Sequence, residues 1–116
     1  MTGRARGEAG ERAAEQYLEK LGARILRRNY SCRGGEIDLI ALDDETLLFV
    51  EVKLRSNERY GTPGEAVNCA KRRRICRAAL TYLHEIGEVE VPMRFDVIEV
   101  TPDGVNHLPG AFDYVE

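Results

Sequence analysis

Residues 7–21 carry apolar side chains at helical spacing. Ala9, Ala13, Ala14, Tyr17, Leu18 and Leu21 fall on one face at about 100° per residue. Gly22 follows, where a helix end takes a left-handed glycine. The period then shortens. Residues 23–30, 36–42 and 47–53 are brief runs bounded by turn residues and read as strands. Residues 31–35 turn between the first two, and Asp43-Asp44-Glu45-Thr46 connects the next two as a hairpin. Residues 56–64 form a loop containing Tyr60, Gly61, Pro63 and Gly64. Asn68 can cap a second helix running to Ile86, with Ile75, Ala79, Tyr82, Leu83 and Ile86 buried and Gly87 ending it. Residues 93–101 form a fourth strand, Pro102-Asp103-Gly104 a turn, and the tail a short edge element.

The order is helix, three strands, helix, strand. Strands three and four are joined through a helix, so they are expected to lie parallel, while the first three form an antiparallel meander. The fold class is therefore α/β, a mixed sheet flanked by helices. The 116 residues suffice for one domain, 1–116, with a core of its own. Hydrophobic residues at 43% and charged residues at 32% describe an ordinary soluble protein. No apolar run has membrane-spanning length and the N-terminus has no signal-peptide core, so a cytoplasmic location is expected. Cys32, Cys69 and Cys76 form no CxxC pair, and with His84 and His107 they give no zinc-site spacing. The cysteines read as reduced packing residues, the histidines as surface residues.

Net charge is −3, which excludes a strongly basic nucleic-acid binder, but its distribution is uneven. Fourteen of the 17 basic residues are arginine, the side chain suited to bidentate phosphate contacts. They gather at Arg24, Arg27, Arg28 and Arg33, at Arg55 and Arg59, and in Lys71–Arg74 with Arg77. Arg28, Arg33, Arg55, Lys71 and Arg72 are the candidate nucleic-acid contacts. For any one cluster, a solvated face is the simpler explanation.

The hairpin places unusual charges together. If it is symmetric about Asp44–Glu45, Leu42 faces Leu47, Ile40 faces Phe49, Asp38 faces Glu51 and Glu36 faces Lys53. All eight then share one face. The stripe is apolar near the turn and charged at the far end. A salt-bridge ladder on a wet face would be polar throughout, whereas a one-residue slip would oppose Asp38 to a valine. Facing carboxylates about 4.5–5.5 Å apart at Cβ repel unless a proton or cation lies between them. Such a pair can hold Mg²⁺ or Mn²⁺, with Lys53 stabilising charge or orienting water. On the first helix Glu11 points nearest the apolar face, Glu15 is intermediate, and Glu8 and Glu19 point to solvent.

Asp38 followed by Glu51-Val52-Lys53 resembles the active-site signature of the PD-(D/E)XK nuclease superfamily. The whole chain is similar to the YraN family of small bacterial proteins, distantly like archaeal Holliday-junction resolvases. The likeness includes Gly10-Glu11, Tyr17-Leu18, Arg28-Asn29-Tyr30, Gly35-Glu36-Ile37-Asp38, Phe49-Val50-Glu51-Val52-Lys53, Lys71, Arg94-Phe95-Asp96-Val97 and Ala111-Phe112. It implies a restriction-endonuclease-like fold and metal-dependent hydrolysis of DNA phosphodiesters. By position, Asp38 and Glu51 would be metal ligands, Lys53 the catalytic lysine and Glu11 the helix glutamate. Glu36 stays open between a metal ligand and a partner of Lys53. The resolvase analogy also implies a homodimer, with Tyr60, Pro63, Ala111 and Phe112 as candidate contacts. No GxxxxGK[ST] or GxSxG motif offers another chemistry. The competing readings are a nucleic-acid-binding or adaptor module without catalysis, and a protein-interaction domain using the sheet edge.

Overall fold

The computed structural model describes residues 3–55, 68–87 and 90–114, with side chains from residue 8 onward. The elements are α1 (Gly3–Lys20), β1 (Arg24–Cys32), β2 (Gly35–Asp43), β3 (Thr46–Leu54), α2 (Cys69–Ile86), β4 (Met93–Thr101) and β5 (Gly104–Phe112). The loop expected at 56–64, with Arg59, Tyr60 and Pro63, lies outside the described residues.

One five-stranded sheet runs in the order β1-β2-β3-β4-β5. Strands β1, β2 and β3 form the antiparallel meander, and β3 pairs parallel with β4 across α2. The mixed α/β architecture read from the sequence is present. The tail exceeds expectation: β5 is nine residues long and pairs with β4 over most of its length.

Strand alternation builds two cores. Leu47, Phe49, Phe95 and Val97 pack with Ile75, Cys76, Ala79, Tyr82 and Leu83 of α2. Leu48, Val50 and Ile98 pack with Ala14 and Leu18 of α1. The helices thus cover opposite faces of the sheet. Phe49, Phe95 and Phe112 stack in sequence, at centroid spacings of 5.5 and 5.1 Å. Phe112 is therefore core, which corrects its reading as a dimer contact. Leu21, Ala9 and Ile86 are exposed rather than buried; Leu21 lies just past α1, and Ile86 is the last residue of α2. Cys76 is buried and Cys32 half-buried, but Cys69 is exposed at the start of α2. No helix among the described residues is long and apolar enough to cross a membrane.

The caps fix where α2 begins and ends. The Asn68 side chain accepts the Lys71 N–H at 2.9 Å, and Gly87 closes the helix at φ 75°, donating to the His84 and Leu83 carbonyls.

Candidate functional site at a fork in the sheet

The expected hairpin register holds as far as it is paired. Asp43↔Thr46, Leu42↔Leu47, Ile40↔Phe49 and Leu39↔Val50 are partners, and there the ladder stops. Beyond it β2 stays with β1, down to Cys32↔Gly35, while β3 stays with β4, up to Leu54↔Val100. The sheet forks. Asp38 stands at the crotch, and its Oδ2 accepts the Val52 N–H at 2.8 Å, so a side chain replaces the lost backbone bond.

Strand β2 also changes face here. Ile37 packs toward α2, whereas Leu39 and Ala41 pack toward α1. Strict alternation would place all three together. Across β1, Asn29 takes a positive φ of 50°, a conformation Asn tolerates better than most residues. This corrects the single eight-residue stripe. Ile40, Leu42, Leu47 and Phe49 face α2, but the charged ends leave that plane.

The fork is reached from both layers. From α1, Glu11 reaches the surroundings of Asn29 and Asp38 and feels the charge of Glu51. From α2, Lys71 Nζ lies 2.9 Å from Glu51 Oε1, and Lys53 Nζ lies 3.7 Å from the same oxygen. The Glu51 side chain is only 8% exposed. Lys53 and Lys71 therefore meet at Glu51, with Asp38 and Glu11 near enough to feel its charge.

Burial, then repulsion from Glu51 and Glu11, pushes Asp38 up to about 7, against the Val52 hydrogen bond. Burial likewise raises Glu11. Lys53 is held below the ordinary lysine range by burial first and by Lys71 second. For Lys71 burial works downward, but the Glu51 bond and the contact with Lys53 outweigh it and raise the group.

Glu36 does not join this cluster. The fork carries it away from Lys53, leaving its side chain 63% exposed and 3.7 Å from Arg74. The expected Glu36–Lys53 pair is replaced by Lys53 with Glu51. Glu15 is buried and accepts from Arg28 Nε at 2.8 Å. Arg55 leans on Glu99 at 3.4 Å, and Arg72 stacks over Phe112. Of the five candidate nucleic-acid residues, Arg28 and Arg33 are exposed, Arg33 at the β1–β2 turn. Lys71 turns inward to the acids.

Two features are not legible in the sequence. The pattern suggests a phosphate contact for Lys71, because its actual partner, Glu51, lies on another element. It suggests a surface position for His107, yet the ring is only 10% exposed. The His107 Nε2 lies 2.8 Å from Asp96 Oδ2 and its Nδ1 3.2 Å from the Tyr17 hydroxyl. Burial alone would raise Asp96, but bonds from Arg94, Gly110 and His107 hold it below the usual carboxylate range. When Nε2 carries the proton it donates to Asp96, and Nδ1 in that tautomer accepts from the Tyr17 hydroxyl.

Among the described residues no three His, Cys, Asp or Glu side chains form a ready-made metal cluster. A hard divalent ion nevertheless suits what is present. Mg²⁺ commonly binds through one or two carboxylates and keeps its waters, and the buried Glu51 and half-buried Asp38 are oxygen donors whose mutual repulsion a cation would relieve. A cleft of about 310 Å³ opens beside Glu11, bordered by Arg12, Arg28, Asn29 and Leu39.

Comparison with known proteins places this geometry in a family. The chain is 57% identical over 96 residues to a UPF0102 protein of Symbiobacterium thermophilum, covering 83% of this chain and 81% of that one. A UPF0102 protein of Geobacter metallireducens is 46% identical over 92% of this chain and 91% of its own. One from Moorella thermoacetica is 45% identical over 97% of this chain and 98% of its own. The model of the family described as "Uncharacterised protein family UPF0102" matches residues 10–100, including Glu11, Asp38, Glu51, Lys53 and Lys71. The chain belongs to the UPF0102 family, the group to which the YraN resemblance pointed.

Proposed function

We propose that this protein is a metal-dependent endonuclease that hydrolyses DNA phosphodiester bonds. The observation that carries the reading is the meeting of Glu11, Asp38 and Glu51 with Lys53 where β2 and β3 part. Asp38 and Glu51 would hold Mg²⁺ or Mn²⁺, with Glu11 completing the acidic side. The ion would supply charge neutralisation at the phosphate and a nucleophilic water at neutral pH. Lys53 would steady the negative charge that develops on the phosphate. The fork leaves the two acidic strand ends unpaired with each other. The likeness to archaeal resolvases points to branched DNA as the substrate.

The test is incubation of purified protein with linear duplex, single-stranded and four-way-junction DNA in Mg²⁺ and in Mn²⁺. Cleavage is expected, strongest on the junction, and reduced at least about 100-fold in Asp38→Asn and Lys53→Met, the scale of losing one electrostatic catalytic group. No cleavage of any substrate at high protein concentration would overturn the reading. A second reading, a DNA-binding or adaptor module without turnover, is favoured by one observation. Two ammonium groups, of Lys53 and Lys71, face Glu51 and compensate its charge. Salt-dependent DNA binding that survives Asp38→Ala, with no metal-dependent cleavage, would select it.

A further inference from the structure

Lys71 sits where helix physics gives it little reason to be. It is in the first turn of α2, and that turn contains no acidic residue. A cation there opposes the helix dipole. Its backbone N–H is pinned by Asn68, so only its side chain is free to move. That side chain crosses to Glu51 and takes Oε1 at 2.9 Å. A divalent ion bound to that oxygen at the usual 2.0–2.1 Å would stand within about 5 Å of the Lys71 ammonium. Lys53 touches the same oxygen more loosely and is the more enclosed of the two, 18% exposed against 35% for Lys71. Of the two lysines, Lys71 has the freedom to leave.

We infer that Lys71 is a latch on Glu51, holding the carboxylate while the site lacks a divalent ion, displaced when one binds, and then reaching a phosphate of the substrate. This rests on the nuclease reading above and adds a positioning residue from the second helix. The latch keeps a buried acid compensated in the empty site and delivers a cation to the substrate only once the site is loaded. It couples metal binding to DNA binding through one side chain.

The experiment has two arms on the full chain. In the first, Mn²⁺ affinity is measured without DNA by calorimetry or electron paramagnetic resonance. Lys71→Met is expected to bind Mn²⁺ about tenfold more tightly than wild type, the scale of removing one unit charge a few ångströms away. Lys71→Arg, which keeps the cation, should stay near wild type, and Glu51→Gln should weaken binding. Equal or weaker binding by Lys71→Met overturns the latch while leaving the nuclease reading standing. No effect of Glu51→Gln removes the ion from Glu51, and both readings fall. In the second arm, the salt dependence of junction binding is compared in Ca²⁺ and in EDTA. Lys71→Met should lower the slope by about one in Ca²⁺ and leave it unchanged in EDTA, because only a released lysine reaches a phosphate. An equal change in both conditions, or none in either, overturns the displacement step.

Discussion

Asp38 holds two jobs that conflict. Its Oδ2 closes the fork by accepting the Val52 N–H, and its charge sits half-buried beside Glu51 and Glu11. A carboxyl raised to about 7 in the folded chain binds a proton that the unfolded chain, near 3.8, has already released. Between those values the native state carries more protons, so stability falls as pH rises through this window. Below the lower value the penalty is absent, and above the upper one it is complete. An asparagine at this position could still accept the Val52 N–H through its amide oxygen while carrying no charge. Asp38→Asn is therefore expected to stabilise the metal-free protein at pH 8 by roughly 2 kcal/mol, a conservative share of what such a shift is worth. At pH 4 the effect should be within about 0.5 kcal/mol. Urea unfolding in EDTA at the two pH values measures both. Equal stabilisation at pH 4 and pH 8 would mean that charge is not the cause.

Among the elements, the arm of the fork formed by β1 and β2 leans on α2 through a glycine. A Cβ built on Gly35 would lie 1.9 Å from the Arg74 backbone carbonyl oxygen and 3.2 Å from the Ala78 nitrogen. Backbone cannot yield as a side-chain tip does. Gly35→Ala should therefore lift α2 from the strand, costing about 3 kcal/mol or more and lowering the melting temperature by on the order of 10 °C. Asn68→Ala, which removes only a cap, should cost about 1 kcal/mol. Thermal unfolding of the two variants beside wild type separates close approach from capping. The same elements show what the sequence could reveal. Local rules locate α2 from its cap to its terminal glycine, β4 residue for residue, and the Leu42–Leu47 register, since each depends on neighbours in the chain. The length of β5 is hidden because Gly104, Asn106, Pro109 and Gly110 are poor strand formers. That strand is held instead by pairing with β4 and by the Gly110 N–H bond to Asp96 at 2.9 Å. The fork is hidden for a similar reason. Nothing in the local pattern marks Leu39 as the last paired residue, and the change of face at Asp38 depends on Asn29 across the strand. Glu11, by contrast, is visible from helical geometry alone.

For the molecule as a whole, the site lies between two separately packed layers, with Glu11 fixed to one and Lys71 to the other. Anything that binds the native arrangement and not the unfolded chain stabilises the fold by mass action, about 2.7 kcal/mol at a hundred times its dissociation constant. For a chain of this size, Mn²⁺ at that level should raise the melting temperature by roughly 10 °C. The rise should be larger at pH 8 than at pH 5, because a proton on Asp38 competes with the ion at the lower pH. Asp38→Asn and Glu51→Gln should abolish it. Glu36→Gln should leave it intact, because the fork turns Glu36 out to Arg74. The comparison between these variants distinguishes an ion in the fork from one bound loosely at acidic surface residues. Surface binding would respond to Glu36 as readily as to Asp38, and would give little pH dependence above 5. A wild-type protein whose melting temperature ignores Mn²⁺ at every pH would remove the metal from the site, and with it the hydrolytic role of Asp38 and Glu51.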